Sequence, residues 1–325
     1  MSDIVNVTVF DTSISTLNVG DEIIMRGVNN ALFDTFPNGR FGKVASHERI
    51  FRAGISMIRH SDYGIVGGSN ILSGQMNRYP QWKISLLQSM LIRNKVIMLG
   101  VGWREYQQAT NLYTRMLLRN LMHPSLLHSV RDSYTELKLR EIGFHNVINT
   151  ACPTMWGLDI GHCQRIPERR SERGIFTLTD YSKDPLRDTA LVEIMLRRYR
   201  DVYFWIQGRK DMEYFESLNI RDAERVVRIA PNLRAYDEFL ASGPCDYIGT
   251  RLHAGIRALQ NKRRTCIIGI DNRAKEKKLD FNLPVINRDQ IADVEQWIET
   301  PAPTSINLPV ENIKKWKSQF GSENC

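Results

Sequence analysis

The chain has 325 residues, of which 42% are hydrophobic, with a formal net charge of +8 and a pI of about 9.3. This length suits two domains with sizeable cores, and the positive charge favours anionic partners such as phosphates, charged glycans, lipid headgroups or nucleic acid. The N-terminal residues lack the pattern of a secretion signal and no apolar run approaches the ~20 residues that span a bilayer, so we expect a cytoplasmic protein with only peripheral membrane contact.

The first predicted elements alternate strand and helix. A β-branched strand over Ile4–Phe10 leads through a polar loop into a helix that begins near Asp21. Buried strands are predicted over Tyr63–Leu72 and Lys95–Trp103. A short strand, an Arg-Asp turn and an amphipathic helix that stops at Gly143 complete this half, which indicates a parallel sheet with helical crossovers.

The stretch between Gly161 and Gly174 is polar, basic and without an apolar period, which predicts a linker. It is either a solvated loop or a basic hinge that helps to hold an anion. Strands and helices resume beyond it, and the chain closes with a helix in "VENIKKWKSQF". We therefore predict an α/β protein with two Rossmann-like domains facing a cleft, residues 1–163 and 164–325, with the last helix able to pack back on the first domain.

Five scattered cysteines show neither a CxxC pair nor a histidine at metal-ligand spacing: Cys152, Cys163, Cys245, Cys266 and Cys325. This pattern is typical of reduced, buried thiols, and it indicates neither a disulfide framework nor a metal site.

Ligands of open parallel sheets bind beyond the carboxyl ends of the strands, so the loops there are the candidate sites. In the first loop, Asn18, Gly20 and Asp21 form either an anion-binding helix start or an ordinary helix cap. The GxGxxG fingerprint is absent from this loop, which disfavours a nicotinamide cofactor.

Two further loops carry glycines after strands. The run Gly67, Gly68, Ser69 and Asn70 either lets a substrate lie against the main chain or forms a tight turn. Trp103, which follows Gly100 and Gly102, either offers a flat face to a sugar ring or packs in the core.

Basic residues follow two other predicted strands. Arg131 stands beside Asp132 between a strand and a helix, where it can hold a carboxylate or phosphate or form a structural pair. Arg251 and His253 follow "DYIGT" at a strand end, where arginine can hold an anion and histidine can move protons near neutral pH.

Six segments in order resemble the polysaccharide pyruvyl transferase family: "LNVGDEII", "GIVGGSNIL", "LGVGW", "SVRDSYTELKLREIG", "CPTMWGL" and "YIGTRLHAGIRALQNKRRTCIIGIDNRAKE". The resemblance extends from about Asn6 to Lys278. It implies a glycosyltransferase-B-like fold, phosphoenolpyruvate as donor, and a sugar acceptor in exopolysaccharide or cell-envelope biosynthesis. The sequence itself shows no metal-ligand constellation, so we expect neither a metal nor a cofactor.

The resemblance also implies roles for single residues. Arg131, Arg251 and His253 would bind the donor, with His253 as general acid, and Arg273 matches a further donor-binding position. Apart from the resemblance, the chemistry needs a base for the sugar hydroxyls, and Asp21 is the candidate, although helix capping explains this residue equally well. The sequence departs from the family in "GGSN", "CPT" and "AKEKKL"; the first two lie in the acceptor-side domain and bear on the acceptor more than the donor.

Two other functions stay open on these residues. One is a nucleotide-sugar-dependent glycosyltransferase of the same fold, which would bind a nucleoside diphosphate instead of phosphoenolpyruvate. The other is a non-catalytic protein that binds anions or nucleic acid, but no stripe of interleaved basic and aromatic residues supports it. We expect no nucleic-acid partner and a lipid-linked or nucleotide-linked glycan as acceptor.

Overall fold

The computed structural model describes residues 4–321. Two compact α/β units account for the chain. The first contains the chain up to Thr16, Ile24–Trp156 and the chain from Leu308 onward, and the second contains Leu17–Ile23 and Gly157–Asn307. Compared with the division at residue 163, the second unit begins earlier, and the segment with the last helix belongs to the first unit.

The first unit is built on parallel strands. Its strands are β1 (Val5–Asp11), β2 (Gly39–Ala45), β3 (Tyr63–Gly67), β4 (Val96–Leu99), β5 (His128–Val130) and β6 (Val147–Asn149). Its helices are α1 (Gly20–Thr35, whose first turn is grouped with the second unit), α2 (Arg52–His60), α3 (Leu86–Leu91), α4 (Leu112–Leu121) and α5 (Ser133–Glu141). The strand order is β2-β1-β3-β4, and β5 pairs with β6. Two strands of this unit were not predicted from the sequence patterns: β2, in which only Val44 is buried, and the three-residue β6.

The core of the first unit lies on both faces of this sheet, because successive residues of a strand point to opposite sides. β1 sends Val7 and Val9 toward α1 and Phe10 toward the other face, where it meets Trp82 edge to face. The fully buried Trp316 of the last helix belongs to the same cluster as Val7. The first unit thus includes a helix from the far end of the sequence.

The second unit has a six-stranded parallel sheet. Its strands are β7 (Arg173–Thr177), β8 (Asp201–Trp205), β9 (Val226–Ile229), β10 (Asp246–Gly249), β11 (Arg264–Gly269) and β12 (Val285–Asn287), in the order β12-β11-β10-β7-β8-β9. Its helices are α6 (Ile160–Cys163), α7 (Pro185–Arg198), α8 (Asp211–Ser217), α9 (Leu233–Ala241), α10 (Leu252–Gln260), α11 (Asn272–Phe281) and α12 (Asp293–Glu299), and α13 (Val310–Ser318) returns to the first unit. The carboxyl ends of β7, β10 and β11 lie side by side.

The four cysteines within residues 4–321 are buried and free, and Cys325 lies outside the described residues. No helix in the described part of the chain combines the length and apolar character needed to cross a bilayer.

His128 on β5 is a buried, neutral histidine. Its Nδ1 accepts the Met98 N–H at 3.3 Å and its Nε2 donates to the His123 carbonyl at 2.9 Å. Burial lowers the pKa of His128 to about 4 from 6.5. Because protonation favours the unfolded chain, the stability that neutral His128 provides is complete above pH 6.5 and is lost as the pH falls toward 4.

We therefore expect the free energy of unfolding of the wild-type protein to fall by about 2–3 kcal/mol more than that of His128→Gln when the pH is lowered from about 7.5 to about 4.5. Urea unfolding at both pH values measures this difference. His145→Gln, at an exposed position, is the control. An equal loss in wild type and His128→Gln would contradict the assignment.

Candidate active site

The Arg131 side chain connects the loops that follow β3 and β5 in the first unit. Its buried guanidinium donates through Nη2 to the Asn70 Oδ1 at 2.7 Å, through Nη1 to the Ser69 carbonyl at 3.3 Å and through Nε to Asp132 at 3.1 Å. Asp132 also accepts the Thr135 N–H at 2.8 Å and so caps the start of α5. The structure thus brings Ser69, Asn70 and Arg131 together, with the guanidinium charge balanced by a buried carboxylate.

Gly102 makes room for this arginine. A Cβ atom at residue 102 would lie 1.9 Å from the Arg131 Nε and 2.0 Å from its Cζ. No real Cβ contact is so short, so the glycine is required by the guanidinium that lies against it.

Gly67 and Gly68 are required by the packing of α1. A Cβ at Gly67 would lie 2.5 Å from Val28, and one at Gly68 would lie 2.2 Å from Ile24. Gly68 also has a φ of +58°, which disfavours any other residue. These contacts explain both glycines without a substrate.

Trp103 is completely buried, with 0% of its surface exposed. Its Nε1 donates to the Gln107 side chain at 2.9 Å, and its backbone N–H donates to the Thr135 hydroxyl at 2.9 Å. The ring therefore has no open face, so of the two alternatives the structure supports packing in the core and not stacking on a sugar. Packing is the physical reason, since a large aromatic side chain stabilises a core by the apolar area that it buries.

The loop with Asn18, Gly20 and Asp21 was predicted on the acceptor-side domain, but it is grouped with the second unit. The Asn18 Oδ1 accepts from the Gln207 Nε2 at 2.8 Å and from the Gly20 N–H at 3.1 Å. The Val19 N–H donates to the Gln207 carbonyl at 3.1 Å. Helix α1 begins at Gly20, so Asp21 lies in its first turn rather than at the cap, and its side chain is largely buried.

Arg251 is held by a set of acceptors at the carboxyl ends of β7 and β8. Its Nε donates to the Leu178 carbonyl at 3.1 Å and to Asp211 at 3.1 Å, and its Nη2 donates to Asp180 at 2.9 Å and again to Asp211. A Cβ at Gly208 would lie 2.1 Å from the same Nη2. Gly208 therefore makes room for the Arg251 guanidinium in the same way that Gly102 makes room for that of Arg131.

Tyr181 joins Arg251 to Arg273. Its ring lies 5.1 Å from the Arg251 Cζ, and its hydroxyl accepts from the Arg273 Nη2 at 2.5 Å. The Arg273 Nε donates to Asp271 at 2.8 Å. The two arginines predicted from the R-L-H-A and "GIDNRAKE" segments thus share one aromatic neighbour.

The three carboxylates around these arginines differ in exposure. Asp211 has 0% of its side chain exposed, whereas Asp180 and Asp271 are 21% and 29% exposed. Burial raises the pKa of the Asp211 carboxyl, and the Arg251 guanidinium opposes that shift. An incoming anion can replace the two exposed carboxylates at the guanidiniums, while Asp211 stays bound and keeps Arg251 in place.

His253 lies in the first turn of α10, two residues after Arg251, with 7% of its surface exposed. Arg251 is the residue before the helix, and its side chain makes no capping hydrogen bond to it. Helix N-termini favour anions through their N–H groups and dipole. A nearly buried imidazole in this place can give a proton to a bound anionic substrate.

Sequence reasoning missed the residues that contact Arg251, Arg273 or Asn18: Asp180, Tyr181, Gln207, Gly208 and Asp211. A signal was present, because these residues follow β7 and β8 as Arg251 follows β10, but their distance along the chain hides the contact. Among residues 4–321, no group of three or more histidine, cysteine, aspartate or glutamate side chains is arranged to hold a metal ion.

The fold is shared with known enzymes of low sequence identity. The UDP-GlcNAc 2-epimerase of Methanocaldococcus jannaschii superposes with a TM-score of 0.55 and 9% identity, over 98% of this chain and 98% of that chain. The same enzyme in complex with UDP-GlcNAc and UDP gives a TM-score of 0.51 and 10% identity over 97% and 98%. These similarities confirm the predicted α/β fold of the glycosyltransferase-B type.

No curated protein matches the chain in sequence. The sequence profile of the family described as polysaccharide pyruvyl transferase, however, matches residues 18–272. That range contains Arg131, Arg251 and His253 and ends one residue before Arg273. The chain therefore belongs to the polysaccharide pyruvyl transferase family and is a transferase.

Proposed function

We propose that this transferase moves the enolpyruvyl-derived group of phosphoenolpyruvate onto two hydroxyls of one sugar, forming a pyruvate ketal. The observation that carries the proposal is the cluster at the carboxyl ends of β7, β10 and β11. There, Tyr181 joins Arg251 to Arg273, and His253 follows in the first turn of α10. Two guanidiniums suit a donor with a carboxylate and a phosphate, because each can form paired, charge-assisted hydrogen bonds.

In the proposed reaction, His253 gives a proton to the methylene carbon of phosphoenolpyruvate, which leaves C2 electrophilic. One sugar hydroxyl adds to C2 and loses its proton, and the C2–O bond to phosphate breaks. The second hydroxyl then adds to C2 and loses its proton. One hydroxyl proton balances the one placed on the methylene carbon, and the other leaves with phosphate. Arg251 and Arg273 orient the donor and stabilise the departing phosphate.

The remaining predicted residues take the following places in the proposal. Asp21, in the first turn of α1, is the candidate base for the sugar hydroxyls. Arg131 is a further donor-binding residue, and Asn70 and Asn18 are candidate acceptor contacts. The acceptor is a polysaccharide or glycolipid precursor, linked to a lipid or a nucleotide, in the cytoplasm. No cofactor beyond the donor substrate is required by this scheme.

Calorimetric titration of the purified protein with phosphoenolpyruvate, beside UDP, GDP and CMP, tests the donor. We expect phosphoenolpyruvate to bind, and Arg273→Ala to weaken that binding at least about tenfold, since it removes one charge-assisted contact. Arg234→Ala, which removes a highly exposed cation from α9, is the matched control and should bind as the wild type does.

Selective binding of a nucleotide would contradict the proposal and favour the nucleotide-sugar-dependent reaction. The structure of the similar epimerase contains UDP-GlcNAc and UDP, so UDP is the nucleotide to test first for this alternative. Binding of phosphoenolpyruvate with equal affinity by wild type and Arg273→Ala would remove Arg273 from the donor site.

A further inference from the structure

The first unit carries an exposed apolar surface on α2 and α3, here named the α2–α3 surface and defined as residues 49–60 and 81–95. Phe51, just before α2, is 77% exposed. Five large apolar side chains of this surface are between 42% and 77% exposed: Phe51, Met57, Leu87, Met90 and Leu91. α2 and α3 pack against each other, so these side chains belong to one region. Apolar groups concentrated in this way mark a binding surface.

The same two segments are strongly basic. They contain six arginines and lysines and no aspartate or glutamate: Arg49, Arg52, Arg59, Lys83, Arg93 and Lys95. None of the four arginines forms an ion pair with any residue in the range 4–321. Some exposed arginines of the second unit are paired, as Arg198 is with Glu295 and Arg234 with Glu238. The α2–α3 surface therefore presents uncompensated positive charge.

A cavity of about 360 Å³ opens on this surface. Arg52, Ile55, Ser56 and Arg59 line it from a single stripe of α2, since residues three, four and seven apart share one face of a helix. Ile50 and Leu91 add apolar lining. The cavity therefore combines cationic side chains with an aliphatic lining. A ligand in which a phosphate group is joined to a hydrocarbon chain would match both.

We infer that the α2–α3 surface binds an anionic phospholipid bilayer, with its apolar side chains in the acyl boundary and its arginines at the lipid phosphates. Exposed phenylalanine, leucine and methionine interspersed with arginine are what an interfacial amphipathic helix requires. Single-stranded nucleic acid is favoured less, because Phe51 is the one exposed aromatic side chain of these two segments available for base stacking. The inference rests on this surface alone and does not depend on the proposed reaction.

Flotation of the full chain with vesicles tests the inference. We expect binding to vesicles of phosphatidylglycerol mixed with phosphatidylcholine, little binding to phosphatidylcholine alone, and release by salt. The charge variant Arg52→Gln/Arg59→Gln should bind the anionic vesicles about thirtyfold more weakly, at ~1 kcal/mol for each cation near the surface. The apolar variant Phe51→Ser/Leu87→Ser should bind them about tenfold more weakly.

Two controls remove groups of the same kinds, cationic and apolar, from the second unit. Arg197→Gln/Arg228→Gln lowers the net charge equally at exposed positions, and Leu186→Ser removes an exposed leucine. Both should bind vesicles as the wild type does. Equal loss in controls and test variants would show attraction through net charge only and overturn the inference.

Two other outcomes would also overturn it. One is binding of single-stranded RNA, without vesicle binding, that the charge variant abolishes. The other is a dimer in light scattering that the apolar variant dissociates while vesicle binding is absent. Phosphoenolpyruvate titration of the same variants keeps the two proposals separate, because their donor affinity should equal that of the wild type.

Discussion

The His253→Ala variant is expected to lose turnover by about 10²–10⁴-fold while it binds phosphoenolpyruvate within about threefold of the wild-type affinity. The physical reason is that a proton donor contributes to the transition state of methylene protonation, whereas the guanidiniums hold the ground-state donor. His253 lies inside α10, two residues after Arg251, which precedes the helix. Phosphate release from phosphoenolpyruvate, assayed with glycan-precursor diols, measures turnover, and calorimetry measures donor affinity.

The controls for this experiment separate chemistry from folding. His145→Ala removes an exposed histidine of the first unit and should leave both measurements unchanged. His253→Gln keeps a polar side chain of similar reach but cannot exchange a proton, so it should be as slow as His253→Ala. Near-normal turnover in either His253 variant would remove His253 from the mechanism.

Replacing Arg251 by alanine is expected to lower the free energy of unfolding by about 3–5 kcal/mol, because it leaves the buried Asp211 carboxylate without its partner. It should also abolish measurable donor binding. Chemical unfolding followed by tryptophan fluorescence gives the first quantity, and calorimetry with phosphoenolpyruvate gives the second.

A double variant distinguishes the two losses at Arg251. In Arg251→Gln/Asp211→Asn, no unpaired charge is buried, so most of the lost stability should return. Donor binding should stay lost, because the guanidinium is still missing. If the double variant bound phosphoenolpyruvate as the wild type does, Arg251 would be a structural residue and the donor site would lie elsewhere.

The strand–helix alternation and the positions of the arginines could be predicted from the sequence because they depend on local pattern. Gly143, at a φ of +94°, ends the helix that it was predicted to end. Arg251 and His253 stand after β10, as the "DYIGT" strand indicates. Buried strands and helix ends leave signals within a few residues, and such signals can be read without knowing the tertiary contacts.

The features that could not be predicted from the sequence depend on tertiary contacts. Asp211 and Tyr181 meet Arg251 from 40 and 70 positions away, and nothing in their local sequence specifies the pairing. Trp103 follows a glycine as an exposed platform would, yet Thr135 and Gln107 enclose it. The grouping of Asn18 with the second unit likewise depends on Gln207, far along the chain.

The fully buried Trp316 has a consequence for the nascent chain on the ribosome. Trp316 packs 6.2 Å from Trp156, measured between ring centroids, and 5.1 Å from Phe320. Because α13 follows residue 307, the second unit is synthesised before the helix that completes the core of the first unit. Domains fold largely as units during synthesis, so the half that is begun first is the half that is finished last. Until then its uncovered apolar face is open to chaperones.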